Sequence, residues 1–415
     1  MSTIRRIASY GLLVSVYAVT WLVAVVGYAI PRRRWKPNGR ILVTGTFFNP
    51  NWYLSHILPL ARSGLEEVLL IVDEAQQPIE KVRFLCPPRW LAVLTTRAVA
   101  KAVWMIIAGI RYRPDLYMGY HLMPGSCSAL LAGRLLGRPA CYQMTGGPVE
   151  IVGGGYGAID SPESALGRPS RLIESLATKV VRQFDLVVVR GNQAKRFLEA
   201  RHPKGTVAII TGSINGSARS SRHDRLVHLV FCGRLSPIKQ VHQFIALVDR
   251  VRCVIPGVRA EILGDGPLKA ELQAYARQLG LTENIAFLGK TGDVQSHMVR
   301  SRVFILTSMS EGLSIAMAEA MSAGVVPVVA EIGELGDLVK DGENGYLVRP
   351  NCTEEYAART LSLLRDEALW QQLSRKAIEA ARSYCDIETV SEKWRRHIQG
   401  TVARASGHPR QHDVR

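Results

Sequence analysis

A short apolar strand that passes through a loop into a helix recurs along most of this chain, and the alternation restricts it to α/β architecture with parallel sheets. The clearest copy is the strand Arg302–Thr307, the loop Ser310-Glu311-Gly312-Leu313-Ser314, and a helix predicted from about Ser314 to Ala323 that stops at Gly324. Glu311 and Glu319 stand eight residues apart on this unit, a separation of roughly 12 Å along a helix. That is too long for the paired carboxylates of a glycosidase, which lie about 5 to 9.5 Å apart. It suits an extended ligand with hydroxyls at both ends and an anion between them. Backbone N–H groups at Gly312, Leu313 and Ser314, with the helix dipole behind them, favour negative charge at the middle.

Two glutamates so spaced on an isolated helix would be an ordinary solvated face, so the surrounding sequence decides. Upstream, the strand Leu229-Val230-Phe231-Cys232 enters Gly233-Arg234-Leu235-Ser236-Pro237-Ile238-Lys239 and then a helical pattern from about Gln240 to Cys253. Gly233 admits a close backbone approach, while Arg234 and Lys239 offer a planar fork and a point charge to phosphate oxygens. A further strand, Ala260-Glu261-Ile262-Leu263, ends at Gly264-Asp265-Gly266-Pro267. A nucleotide sugar, with its hexose, diphosphate and ribose, has the layout these groups select.

From Leu229 to Pro350 the chain resembles the donor half of a retaining glycosyltransferase of the GT-B fold, glycosyltransferase family 4 (glycosyl transferases group 1). The residues that carry the resemblance are Gly233-Arg234-Leu235 with Lys239, Leu263-Gly264-Asp265-Gly266, Ile285-Ala286-Phe287-Leu288-Gly289, Ser310-Glu311-Gly312 with Glu319, and Asp341-Gly342-Glu343-Asn344-Gly345. The resemblance implies that Glu311 binds hydroxyls of the transferred sugar and Glu319 the ribose, that Arg234 and Lys239 hold the diphosphate, and that Gly289 and Lys290 meet the nucleobase. It also implies retention at the anomeric carbon. The chain departs from the pattern at Gln240, where the family usually has glycine after the lysine, and the departure bears on the turn there.

The amino-terminal half reads as a second nucleotide-fold domain, with strands at Arg40 to Gly45, Val68 to Val72, Asp115 to Tyr120, Ala140 to Met144, Asp185 to Val189 and Thr206 to Ile210. Ligands in such sheets lie beyond the carboxyl ends of the strands. That rule selects the loops Gly45 to Trp52, Tyr120 to Ser126 and Thr145 to Gly157, the last carrying Gly146-Gly147-Pro148 and Gly153-Gly154-Gly155, a flexible cluster suited to acceptor contacts or a lid. His121 precedes a helix predicted from about Gly125 to Leu136; a lone histidine is commonly structural, but related enzymes present one to the donor sugar from this loop. No Ser-His-Asp order, nucleophilic cysteine or metal-ligand spacing is visible, so neither a metal nor another cofactor is expected.

Ile7 to Ile30 carries 24 residues without a charge, a helix of about 36 Å, enough to cross a bilayer core. Arg32, Arg33, Arg34, Lys36 and Arg40 follow it, against Arg5 and Arg6 before it. The positive-inside rule thus predicts a single-pass anchor in the inner or plasma membrane with a cytoplasmic body. Seven scattered cysteines fit a reducing compartment. The net charge of +17 raises nucleic acid as a partner, but no nucleic-acid module is present, and an anionic membrane surface fits the placement of the cations better. Arg89 to Arg111, apolar with spaced cations, reads either as a helix packed on the first sheet or as one lying on a membrane surface.

The expected organisation is an anchor and basic flank at 1–38, an acceptor-side domain at 39–215, a donor-binding domain at 216–383, a helix returning to the first domain at 384–400, and a disordered basic tail at 401–415, with a hinge at Thr211 to Asp224. The expected activity is transfer of a hexose-type sugar from a nucleotide-diphosphate sugar to a lipid-linked or membrane-proximal glycan acceptor, in cell-envelope polysaccharide or glycolipid synthesis. A GT-B nucleotide-sugar epimerase or hydrolase, and a non-catalytic donor- or lipid-binding scaffold, are the alternatives.

Overall fold

The computed structural model describes residues 3–29, 37–47, 50–157, 166–201, 203–214 and 225–407. The basic run after the anchor at 31–36, most of the expected hinge at 215–224 and the tail from 408 lie outside the described residues. The chain divides into two compact units, one of Met1–Gly212 with Val390–Arg415 and one of Ser213–Thr389.

Unit 1 runs α1 (Thr3–Ala29), β1 (Arg40–Thr44), α2 (Pro50–Ala61), β2 (Glu67–Ile71), β3 (Val82–Leu85), α3 (Arg89–Leu94), α4 (Arg97–Tyr112), β4 (Leu116–Tyr120), α5 (Cys127–Leu135), β5 (Ala140–Gln143), α6 (Arg171–Val181), β6 (Leu186–Val189), α7 (Asn192–Glu199) and β7 (Thr206–Ile209). Unit 2 runs β8 (Val227–Cys232), α8 (Val241–Arg252), β9 (Ala260–Leu263), α9 (Lys269–Gln278), β10 (Ile285–Gly289), α10 (Val294–Val299), β11 (Ser301–Leu306), α11 (Ile315–Ser322), β12 (Val326–Ala330), α12 (Leu335–Leu338), β13 (Tyr346–Val348), α13 (Thr353–Arg365) and α14 (Glu367–Cys385). The last helix, α15 (Ile387–Ser406), belongs mainly to unit 1.

The sheets are ordered β3-β2-β1-β4-β5-β6-β7 and β10-β9-β8-β11-β12-β13, and their strands pair in parallel. In each, the order reverses beside the first strand, at β1/β4 and at β8/β11, which is where such sheets open a crevice for ligands at their carboxyl ends. Strand side chains alternate between faces. Ile41 and Val43 join α2 and α15 in one core through Tyr53, Trp394 and Ile398, whereas Leu42 joins Met105 and Ala108 of α4 in another.

Four features differ from expectation. The helix predicted to end near Gln399 continues to Ser406 because Thr401, Val402 and Ser406 are still buried on unit 1. Arg89 to Arg111 is two helices, broken where Thr96 caps α4 by accepting from the Val99 N–H. A wide helical turn at Leu122–Ser126 precedes α5, so the helix after His121 begins two residues later than predicted. The glycine cluster, read as suited to acceptor contacts or a lid, is folded into short turns: Gly147–Glu150 and Val152–Gly154 are helical, the Gly153 N–H bonds Glu174 at 2.8 Å, and Gly154 lies against Ile173.

The amino-terminal helix contains the 19-residue stretch Ser9–Gly27, long and apolar enough to cross a membrane. It does not stand apart from the body. It packs mainly against α5 and α6, and Leu13, Tyr17 and Ala24 belong to a core shared with Leu130, Tyr142 and Ile173.

Candidate functional site

Unit 2 assembles its group at the carboxyl ends of β8, β9 and β11, on both sides of the order reversal. The loop Gly233–Leu235 leaves β8 and is seated by the turn after β9. A Cβ on Gly264, whose φ is +143°, would come within 1.8 Å of the Gly233 carbonyl oxygen, and one on Gly266 within 2.3 Å of that of Leu235. These two glycines, read from sequence as ligand contacts, therefore place the loop by close backbone approach. Gly333 does the same behind the acidic loop, where a Cβ would meet the Glu311 carbonyl oxygen at 1.9 Å.

The turn at Gln240 keeps the shape a glycine would give it. Gln240 has φ +49°, its side chain donates to the Pro237 carbonyl at 2.8 Å, and the Thr307 hydroxyl at the end of β11 donates to the carbonyls of Lys239 and Gln240, both at 3.0 Å. The left-handed conformation costs an L-residue about 1–2 kcal/mol, and these bonds offset it. Held in this way, Lys239 reaches across to the acidic loop: its Nζ lies 2.5 Å from Glu311 Oε1, which also accepts from the Ser308 hydroxyl at 2.6 Å. Gly312 and Leu313 then lead to Ser314, which caps α11 by accepting from the Met317 N–H. The three N–H groups of Gly312–Ser314 thus lie at the approach to a helix start.

Glu319, one turn into α11, has its carboxyl pushed up to about 7 by burial. Cys232 at the end of β8 lies within electrostatic reach of it: burial first, and then the Glu319 charge, push the thiol up to about 12, with Lys239 acting in the opposite sense. Arg234 is exposed, as is Lys290, and Gly289 takes a φ of +70° at the end of β10. Lys239, Glu311, Glu319 and the loop at Gly233 are therefore brought together, while Gly289 and Lys290 sit one strand beyond Gly264.

Unit 1 holds a separate cluster beyond β4 and β5. His121 has φ +58°, rare for a residue with a side chain. Its Nδ1 lies 3.2 Å from Glu150 Oε1 and 2.8 Å from the Thr145 hydroxyl. Glu150 gathers five groups: besides His121 it accepts from the N–H of Leu122 at 3.0 Å, Thr145 at 2.9 Å and Gly146 at 2.5 Å, and from the Tyr142 hydroxyl at 2.7 Å. Burial opposes ionisation, but the His121 ring, the Gly146 N–H and the Tyr142 hydroxyl outweigh it and hold this carboxyl below its ordinary value. Sequence reasoning missed Glu150. The only signal was an acid at the end of a Gly-Gly-Pro loop, three residues after Gly147.

Gly146 and Gly147 belong to this arrangement: a Cβ on Gly146 would meet Glu150 Oε1 at 3.1 Å, and Gly147 has φ +75°. Gly45 is buried at the end of β1, with a Cβ position 3.2 Å from Tyr120 Cβ, and its carbonyl accepts from Lys101 Nζ at 3.4 Å. His56 is a packing residue, stacked on Trp52 and bridging the Trp52 carbonyl at 2.9 Å to Arg190 at 2.8 Å. Among the described residues, no three or more His, Cys, Asp or Glu side chains group as metal ligands would.

Residues 218–384 match the family described as glycosyl transferases group 1. The chain is 29% identical over 224 residues to an exopolysaccharide phosphotransferase of Streptomyces coelicolor, a match covering 53% of this chain and 24% of that protein. It is 28% identical over 233 residues to a glycogen synthase of Mycobacterium tuberculosis, covering 54% of this chain and 56% of the relative. The chain thus spans only part of the length of these curated relatives. Among solved structures, HepE of Anabaena in complex with UDP-glucose is similar in fold, with a TM-score of 0.67 at 19% identity over 88% of this chain and 99% of that one. Residues 218–384 are a glycosyl transferases group 1 domain, set in a chain of two parallel-sheet units with a GT-B-like fold.

Proposed function

We propose that the chain is a glycosyltransferase that moves a hexose-type sugar from a nucleotide-diphosphate sugar to a lipid-linked or membrane-proximal glycan acceptor, with retention of anomeric configuration. The observation that carries this reading is the Lys239–Glu311 ion pair beside the half-buried Glu319, at the order reversal of the unit 2 sheet. A ligand that carries an anion and hydroxyl donors can take over both partners of that pair, the diphosphate at Lys239 and sugar hydroxyls at Glu311, without leaving a buried charge unpaired. Glu319, one turn along α11, then faces the ribose.

Chemically, Lys239, Arg234 and the Gly312–Ser314 amides stabilise the charge that grows on the leaving diphosphate, an electrostatic contribution of the kind that dominates such reactions. The departing phosphate oxygen takes the acceptor proton, so no separate general base is needed. His121 is assigned to the donor sugar, with Glu150 as the positioning residue that fixes its ring and loop. Support for the donor class comes from HepE, which was crystallised with UDP-glucose. The amino-terminal apolar helix supports membrane association, with both units on the cytoplasmic side where nucleotide sugars are made.

The test is a panel of nucleotide sugars incubated with the full chain and membrane lipid extracts, with the anomeric configuration of any product read by NMR. Nucleoside diphosphate release coupled to an α-linked product from an α-linked donor is expected. Free sugar or a free epimer as the main product would replace transfer with hydrolysis or epimerisation, and failure of any nucleoside diphosphate to bind would remove the donor assignment altogether.

A further inference from the structure

The helix α1 has two apolar faces, and only one is used inside the protein. Leu13, Tyr17, Thr20, Ala24 and Gly27 are buried, at the three- and four-residue spacing of a single helical face. They fit the surface made by α5 and α6 closely, since a Cβ on Gly27 would come within 2.9 Å of Arg134 Cβ. The opposite face carries Leu12, Val19, Leu22 and Val26, each more than half exposed. An outer helix of a water-soluble domain shows polar residues there.

A second apolar surface lies across α5 from the first, because α4 also packs on α5. On α4, Val99, Val103, Ile107 and Ile110 form an exposed stripe, while Ala100, Met105 and Ala108 face the sheet. The preceding α3 buries none of its residues and exposes Trp90, Val93 and Leu94. Cations border both surfaces. Arg89, Arg97 and Arg111 are exposed on α3 and α4. Along α6, beside α1, a groove is lined by Arg171, Lys179 and Arg182 with Glu174, Ser175 and Thr178. No acidic residue occurs in α1, α3 or α4.

The same packing bears on how α1 meets a bilayer. Lys179 Nζ sits 5.2 Å from the centroid of the Trp21 ring, and Trp21 lies near the middle of the apolar stretch. A helix that crossed the hydrocarbon while seated on α6 would carry this ammonium, and the cations along the α6 groove, to a depth where charge is heavily penalised. A helix lying in the interface keeps the cations at the phosphates and sinks only its outer apolar face.

We propose that unit 1 docks on an anionic bilayer with α1 in the plane of the interface and the exposed faces of α3 and α4 beside it, as a monotopic surface rather than a single-pass anchor. The flanking cations engage lipid phosphates. This goes beyond the transfer reaction and stands whether or not a sugar is moved.

Two measurements on the full chain test it. The first places one epitope tag at the amino terminus and another at the carboxyl terminus, and exposes membrane vesicles to protease on the side where the body lies. Loss of both tags is expected; protection of the amino-terminal tag overturns the proposal in favour of a spanning helix. The second measures flotation of the full chain with phosphatidylcholine vesicles, with and without phosphatidylglycerol. Ile107→Glu with Ile110→Glu should weaken binding to both vesicle types by roughly ten-fold or more. Lys179→Glu with Arg182→Glu should weaken only the phosphatidylglycerol-dependent part, by roughly five-fold for each cation. All four positions lie in unit 1 and outside the donor group of unit 2, so hydrogen exchange of the unit 1 sheet in the same preparations reports whether that unit remains folded. Unchanged flotation of folded variants, or a lipid-independent dimer lost in the first of them, overturns the proposal.

Discussion

The two units share one plan and differ in what they present outward. Each is a parallel sheet with its order reversal beside the first strand, and each carries its candidate residues at the carboxyl ends there. Among the described residues, however, the large apolar side chains left exposed belong to unit 1 except for Leu226, Val254, Leu288 and Met309. The outer helices of unit 2 carry ion pairs instead, such as Arg250 with Glu354 between α8 and α13 and Arg252 with Asp249 along α8. The difference teaches that one fold can be finished for two surroundings, because the sheet dictates only the inner face of each helix.

The largest expected effect separates the units directly. Tyr17 is fully buried between α1 and the rest of unit 1, so Tyr17→Ala should destabilise that unit by about 3 to 5 kcal/mol. Chemical unfolding followed by hydrogen exchange should show the loss in unit 1, with nucleoside diphosphate affinity unchanged at temperatures where unit 1 stays folded. No change in unit 1 would return α1 to the role of a free anchor and remove the contrast.

Next in size is the charge at the donor group. Lys239→Ala should weaken nucleoside diphosphate binding by about 1.5 to 3 kcal/mol, the worth of a charge-assisted hydrogen bond, while leaving vesicle flotation untouched. Arg234→Ala, on an exposed side chain, should fall at the lower end of that range. Calorimetric titration that finds both variants equal to the parent would move the phosphate site elsewhere.

A smaller effect separates the two acids by pH. Burial raises the Glu319 carboxyl to about 7, above its unfolded value, so in the free protein its contribution to stability is present below the ordinary carboxylate range and is lost as pH rises through about 7. A ribose diol donates hydrogen bonds and favours the ionised form, so nucleotide affinity should climb through that same interval. Glu319→Gln should flatten both dependences, whereas Glu311→Gln should keep them and lower turnover instead. Identical pH profiles for the parent and Glu319→Gln would show that this carboxyl does not meet the nucleotide.

The smallest change concerns Gln240. Replacing it with glycine relieves a left-handed backbone, but it also frees the unfolded chain and removes the bond to Pro237, so a shift within about 1 kcal/mol in unit 2 stability is expected. A larger loss, measured by denaturant midpoint, would mean that the side chain's bond to Pro237 rather than the backbone shape maintains the turn.

Much of this arrangement is legible in sequence because it is local. The strands at Arg40, Val68, Ala140 and Leu229 announce themselves as apolar runs that end at glycine or polar loops, and Ser314 marks the start of α11 by its capping chemistry. Three features were not legible. The strand β3 is short and only partly buried at a sheet edge, with Arg83 exposed in its middle, so it lacks a buried run. The buried face of α1 is hidden because the helix is apolar all round, which erases the periodicity that would reveal a packed side. Glu150 has no local pattern: its five partners come from β5 and from loops after β4 and β5, and only the folded chain assembles them.

The path of the chain through the two units also orders events at the ribosome. Unit 2 is one contiguous stretch, Ser213–Thr389, and has its complete core as soon as that stretch emerges. Unit 1 is begun first and finished last, since Val390, Trp394, Ile398 and Val402 fill the face of its sheet against Ile41, Val43 and Tyr53. Until α15 is synthesised, that face is covered only in part, by α2, while the apolar α1 is already available to a nearby lipid surface. On the proposed docking, delivery to the membrane precedes completion of the unit that is delivered, and a chain that stops before α15 would arrive with part of one face of its first sheet bare.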